Sequence, residues 1–140
     1  MTENLTESYP VTQLAILSFG FKHGLPREAN VVFDARVLPN PFYVPELRPL
    51  TGRDPEVVAF LECQHEFGEF LARVEDWALW SWPYVLKAAK PCHTVAIGCT
   101  GGRHRSVAIA ERLAARLNGK VAPLTVRHRE LYSHSPWELL

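Results

Sequence analysis

Long hydrophobic runs are missing from this chain: none approaches the roughly 18 apolar residues that cross a bilayer as a helix. No membrane association is expected. The polar start Met1 to Ser8 has no basic segment leading into a signal-type stretch, so a cytoplasmic protein is expected. Cysteine is scarce, with Cys63, Cys92 and Cys99 making an odd set of three. Such a set does not build the disulfide framework of a small secreted domain and suits a reducing compartment. There is no C-x-x-C or H-x-x-x-H pairing and no G-x-x-x-x-G-K-S/T string. No metal, no cofactor and no Walker-type nucleotide loop is therefore expected. Net charge is lacking as well, because fifteen Lys plus Arg meet fifteen Asp plus Glu. No global field would draw the molecule to nucleic acid or to a membrane.

What is present is the composition of a globular protein, 47% hydrophobic and 21% charged over 140 residues. A chain of that length buries about two-thirds of its unfolded surface and can own a sizeable core. With no repeat, low-complexity tract or linker, one domain over residues 1–140 is expected, with 1–10 flexible. The neutral total hides an asymmetry. Between Lys87 and Arg129 nine cationic residues face the single acid Glu111, while Glu56, Glu62, Glu66, Glu69, Glu75 and Asp76 crowd the middle of the chain. The basic third favours an anionic ligand, although a solvated helix face accounts equally well for Arg112 and Arg116.

Periodicity supplies the elements. The β-branched run Val11 to Phe19, ending at Gly20, reads as a first strand, and Asn30 to Arg36 as a second. Five prolines between Leu38 and Pro55 exclude a helix interior or a central strand there. Asp54-Pro55-Glu56 starts a helix. A second helical stripe, Phe67 to Ala78, is expected to end near Pro83, with Trp77, Trp80 and Trp82 in the core or at a subunit contact. Thr94 to Gly98 reads as a strand, Ser106 to Leu117 as a helix closed by Asn118-Gly119, and Val121 to Arg129 as a last strand. Strands alternating with helices and long crossovers predict an α/β fold: a small, largely parallel sheet flanked by helices, with ligands beyond the carboxyl ends of the strands.

The chemistry concentrates between Gly98 and Ser106, at a strand-to-helix junction. Gly101 and Gly102 let the backbone turn sharply and aim successive N–H groups inward, and the helix N-terminus adds partial positive charge. Thr100, Arg103, Arg105 and Ser106 complete an oxyanion cradle whose preferred group is phosphate. Cys99 to Ser106 also satisfies C-x-x-G-x-x-R-S, the form of the cysteine phosphatase loop. In that alternative Cys99 is the nucleophile, Arg105 grips the phosphoryl oxygens and Asp34 or Asp54 supplies the proton, giving a phosphoric monoester hydrolase. The phosphatase pattern has His before its Cys, where this chain has Gly98. The other reading of Cys99 is a small buried residue beneath the loop.

Several strings together resemble the C-terminal domain of the RapZ (YvcJ) family of RNase adapter proteins, here as a stand-alone domain. They are Ser18-Phe19-Gly20-Phe21-Lys22-His23-Gly24, Phe33-Asp34-Ala35-Arg36, Leu38-Pro39-Asn40-Pro41, Leu47 to Gly52, Val95 to Val107 and Arg127-His128-Arg129. The resemblance implies a sensor of an amino-sugar phosphate, glucosamine 6-phosphate, with a regulatory output through small RNA or a protein partner, and a homo-oligomer. It does not carry over the nucleotide-binding domain of full-length relatives. It also stops short of residues 130–140, which differ from the relatives' basic tail.

Chemistry and resemblance together predict one pocket. It gathers Lys22 and His23, Asp34 and Arg36, Asn40, Cys99, Thr100, Gly101, Gly102, Arg103, His104, Arg105 and Ser106, and Arg127, His128 and Arg129 at one sheet edge. Phosphate takes the loop, and Asp34 and Asn40 are the candidate acceptors for an ammonium group. Duller roles stand beside these. His23 can brace its own loop, Asp34 and Arg36 can pair with each other, and strand alternation points His128 away from Arg127 and Arg129.

Overall fold

A computed structural model describes residues 11–132. The expectation of a flexible segment over 1–10 and the tail beyond residue 132 lie outside the described residues.

Four strands, β1 (Gln13–Gly20), β2 (Val31–Asp34), β3 (Cys92–Cys99) and β4 (Leu124–His128), form one sheet in the order β2-β3-β1-β4. All three pairings are parallel, so every strand delivers its carboxyl end to the same edge. The inner strands read as continuous apolar runs because neighbours cover them. In β3 every residue from Thr94 to Cys99 is buried, the pattern of a strand covered on both faces.

The helices are α1 (Pro55–Glu62), α2 (His65–Ala88), α3 (Arg105–Leu117) and α4 (Arg129–Tyr132). Leu113, Leu117 and Ile109 of α3 join Leu14, Ile16, Val95 and Ile97 of the sheet and Phe67, Leu71 and Val74 of α2 in one core. None of the described helices is long and apolar enough to cross a membrane. Alternation sends Ala15, Leu17, Thr94 and Thr125 to the other face, which opens on a cavity of about 670 Å³.

Three sequence expectations are corrected. The second helix does not stop near Pro83 but runs on to Ala88, ending where Ala89 turns left-handed at φ 56°. Pro83 lies beyond the last buried residue, Ala78, on an exposed stretch where water can satisfy the carbonyl that the missing N–H leaves open. Trp77 and Trp80 are not core. They stand 41% and 61% exposed and form a row of tilted rings along α2, Trp77 to Trp80 at 5.4 Å and Trp80 to Tyr84 at 5.2 Å between ring centres. The final strand ends at His128, and Arg129 already begins α4.

The proline-rich stretch is an ordered wall. It turns at Pro41–Tyr43, where the Asn40 side-chain Oδ1 accepts from the Phe42 amide at 3.1 Å, and again between Val44 and Leu50. It then crosses the start of α3, with the Gly52 amide donating to the Arg103 carbonyl at 2.8 Å. A Cβ on Gly52 would sit 2.3 Å from the His104 carbonyl oxygen, so glycine is what allows the crossing.

Candidate functional site

Parallel pairing sets Gly20 beside Cys99 and Asp34 beside Gly98, and the loop between β3 and α3 emerges among them. Its close fit against β1 depends on missing side chains. A Cβ on Gly20 would approach the Gly101 carbonyl carbon to 2.5 Å, and Gly102 turns at φ 76°, in the left-handed region. The Lys22 amide donates to the Thr100 carbonyl at 3.2 Å, which fixes the turn after β1 against the loop. Among the described residues, the amides of residues 101–105 donate to no protein acceptor. Five N–H groups at a helix start are thus left for solvent or a ligand.

Arg105, the first residue of α3, is 4% exposed. Its Nη1 donates to the carbonyls of Arg36 and Leu38 at 3.1 and 2.9 Å, and its Nη2 to Thr100 Oγ1 at 3.4 Å. Its Nε is buried without a partner. No carboxylate meets this guanidinium among the described residues. A buried cation held only by neutral oxygens, two carbonyls and a hydroxyl, with one donor unpartnered, is suited to an incoming anion.

That anion would enter a cavity of about 360 Å³ lined by Lys22, Asn40, Phe42, Tyr43, Arg48, Cys99, Thr100, Gly101, Arg103, His104 and Arg105. The volume lies toward the small end of ligand sites, which run from roughly 300 to 1,000 Å³. Larger hollows elsewhere lack this convergence of cations. His104 closes the inner wall, its Nε2 3.2 Å from the Leu47 carbonyl. Burial pushes its imidazole below the ordinary histidine range, against the opposing pull of nearby backbone carbonyls.

Cys99 lies beneath the loop, 2% exposed. Its thiol donates to Ser106 Oγ at 3.2 Å and its sulfur accepts from the Ser106 amide at 3.4 Å. The histidine that precedes the cysteine in phosphatases has no room here. A Cβ on Gly98 would lie 2.5 Å from the Phe19 ring and 2.6 Å from the Phe21 ring. Asp34 also suits a general acid poorly. Arg36 binds it through its amide, Nε and Nη2 at 2.9, 2.9 and 2.7 Å, and these bonds hold its carboxyl below the usual carboxylate range. A proton donor near neutral pH needs the opposite shift. Asp54 is occupied too, accepting from the Thr51 amide at 2.8 Å.

The structure therefore divides the sequence-derived set. Lys22, Asn40, Cys99, Thr100, Gly101, Arg103, His104 and Arg105 line the cavity, while Gly102 turns away from it and Ser106 is buried behind Cys99. His23 stands on the exposed turn Phe21–His23, and Arg36 lays its guanidinium 3.9 Å from the Phe21 ring centre. The Arg127-His128-Arg129 string does not line the cavity, which corrects the expected convergence. Alternation sends Arg127 to the open sheet face, where it pairs with Glu28 at 2.6 Å. His128 turns inward between Ser18 Oγ and Glu111 Oε2, each 2.6 Å away. Arg129, on α4, binds Glu130 and donates to the Gly20 and Gly24 carbonyls at 3.3 and 2.7 Å. It braces the turn after β1 from behind. Phe42, Tyr43 and Arg48 are cavity residues that the sequence reading did not assign. The signal for them was their place directly after the Leu38-Pro39-Asn40-Pro41 string and within Leu47-Arg48-Pro49.

The RapZ C-terminal domain family matches residues 12–132. Among curated relatives, a nucleotide-binding protein of Leptothrix cholodnii is 53% identical over 118 residues, 84% of this chain and 37% of that protein. A nucleotide-binding protein of Nitrosomonas europaea is 46% identical over 135 residues, covering 94% of this chain and 46% of that protein. One from Clostridium perfringens is 46% identical over 125 residues, 87% of this chain and 42% of that protein. The chain thus spans less than half the length of these relatives.

Proposed function

Since this chain belongs to the RapZ C-terminal domain family, we propose that it is a non-catalytic module that binds the phosphoryl group of a small phosphorylated sugar and reports its presence to a regulatory partner. The observation that carries the reading is the buried Arg105 guanidinium, with its Nε unpartnered, beside five loop amides that, among the described residues, meet no protein acceptor. Together they reproduce the elements of an anion nest at a helix N-terminus. The family resemblance makes glucosamine 6-phosphate the first ligand to test. The nucleotide binding in the relatives' names is not carried to this chain, which has no Walker-type loop.

The regulatory partner is a small RNA or a protein. The basic third offers RNA less than its composition suggests, because five of its nine cations, Arg112, Arg116, Lys120, Arg127 and Arg129, lie within 4.0 Å of a carboxylate. RNA contact on this chain would then fall on the cations left over, with the steep salt dependence that phosphate contacts impose.

Titration calorimetry with inorganic phosphate and then glucosamine 6-phosphate tests the reading. Heats that saturate at one site, and vanish in Arg105→Ala, are expected. No binding of either compound would overturn it.

A further inference from the structure

Helix α2 has two unlike faces. Phe67, Leu71, Val74 and Ala78 turn to the core. On the outside, residues 66, 69, 73, 77, 80, 84 and 87 follow one another at intervals of three and four, so they form a single stripe about 30 Å long. Each of them is exposed. The stripe is ordered by chemistry, with Glu66 and Glu69 at its amino end, Arg73 next, then Trp77, Trp80 and Tyr84, and Lys87 at its carboxyl end. The three rings lean on one another rather than on the core, and a contiguous aromatic row rimmed by charge is the mark of a protein contact. Beside the row a hollow of about 350 Å³ opens between Trp77, Tyr84, Val31 and His93. It is a seat for a projecting ring.

Turned end for end, the stripe is complementary to itself. In an antiparallel pair of α2 helices, related by a two-fold axis midway between Trp77 and Trp80, Trp77 lies opposite the partner's Trp80, Tyr84 opposite the partner's Arg73 and Lys87 opposite the partner's Glu69. Symmetry makes each of these pairs twice. Arg73 over a tyrosine ring is a cation–π contact, and Lys87 with Glu69 closes the rim. A parallel pair would instead set the acids of one helix beside the same acids of the other. The charges are available for this. Among the described residues neither Arg73 nor Lys87 meets a carboxylate, Lys87 lying 5.7 Å from the ring centre of its own Tyr84. Glu66 and Glu69 meet only the exposed His65 ring, at 3.3 and 3.9 Å.

We infer that the outer face of α2 is a self-association surface, on which a second copy of this chain docks antiparallel through the Trp77, Trp80 and Tyr84 row. Area sets the strength. An aromatic side chain covers about 150–250 Å², so three that are 41%, 61% and 58% exposed offer roughly 240–400 Å² per chain. Two such rows, with the flanking charged stems, come close to the about 1,000 Å² at which specific interfaces begin. The dimer is therefore a weak one that forms and parts with chain concentration.

Sedimentation equilibrium on the whole chain tests it, at low salt and with a thiol reductant because Cys63 and Cys92 are exposed. A monomer–dimer equilibrium with a dissociation constant of about 1–100 µM is expected. Trp80→Ser should raise that constant at least about tenfold. Lys87→Glu should raise it about threefold by setting two acids against each other, and adding Glu69→Lys to Lys87→Glu should bring it back to within about twofold of the unaltered chain. That restoration belongs to the antiparallel register alone. A thermal melt checks each variant. Should Trp80→Ser not fold, the charge exchange, confined to exposed side chains, carries the comparison. A chain that stays monomeric to about 300 µM would overturn the inference and leave the row to a different partner. A dimer indifferent to Trp80→Ser, or one whose loss in Lys87→Glu is not repaired by Glu69→Lys, would overturn it as well.

Discussion

Replacing Arg105 by alanine separates the structural task of one guanidinium from the binding task proposed for it. The first is structural: Nη1 ties the carbonyls of Arg36 and Leu38 to the start of α3. Hydrogen bonds from a charged donor contribute roughly 1.5–3 kcal/mol each, but removing an unpaired buried cation also relieves its desolvation, so a net loss of about 1–3 kcal/mol in stability is expected. The second task is binding. Losing a buried charge that meets an oxyanion costs roughly 2–5 kcal/mol, which weakens phosphate binding by about 30-fold to more than a thousandfold. Urea unfolding with and without ligand reads both quantities. A saturating ligand at 100 times its Kd should add about 2.7 kcal/mol to the unaltered chain and, at the same concentration, no more than about 0.9 kcal/mol to Arg105→Ala. Arg105→Lys keeps the charge without the fork and should fall between them. A folded Arg105→Ala chain that still binds phosphate within about threefold of the unaltered chain would refute the placement, since the buried contact is worth at least ~2 kcal/mol.

Three further outcomes follow from the same geometry. The unaltered chain should turn over p-nitrophenyl phosphate no faster than Cys99→Ser, and Cys99→Ser should keep its phosphate affinity; turnover lost in that variant with binding retained would replace the binding module by an enzyme. Gly20→Ala, whose φ of −108° any residue accepts, should still destabilise by roughly 1–3 kcal/mol because its methyl would meet Gly101, and loop displacement should weaken phosphate binding; a neutral result in both assays would show the contact to be slack. Burial keeps the His104 imidazole neutral to lower pH than in the unfolded chain, whose histidine value is about 6.5. Stability is therefore full above that pH and falls as the pH drops towards the lower folded value, because the unfolded chain takes up the proton first. His93 shifts the same way, mainly through burial. His104→Gln should flatten the slope of stability against pH below about 6.5, and an unchanged slope would show that His104 does not contribute.

Sheet and loop were legible because their residues state their own geometry. The apolar runs of β1 and β3, the glycines at 101 and 102 and the helical stripe of α3 each satisfy a local rule. The misreadings came where a side chain's role depends on distant partners. Arg127, His128 and Arg129 look alike in sequence, yet Glu28, Ser18, Glu111 and the Gly24 carbonyl draw them three different ways. Asp34 is the candidate acid only until Arg36 is seen to hold it through three bonds. Arg48 could not be assigned, because nothing local shows that a proline-rich segment folds back over the start of α3. Pro83 misled for a related reason: a breaker signal is overridden once the upstream turns are packed against the core.

Arg105 lines the ligand chamber while its Nη1 is fastened to the carbonyls of Arg36 and Leu38. Occupancy by an anion and the position of the 36–55 strip are on that account energetically linked, and linkage is reciprocal. Whatever fastens the strip from outside must tighten the metabolite by the same factor by which the metabolite tightens it. A partner that gripped the strip would read metabolite concentration without touching the metabolite.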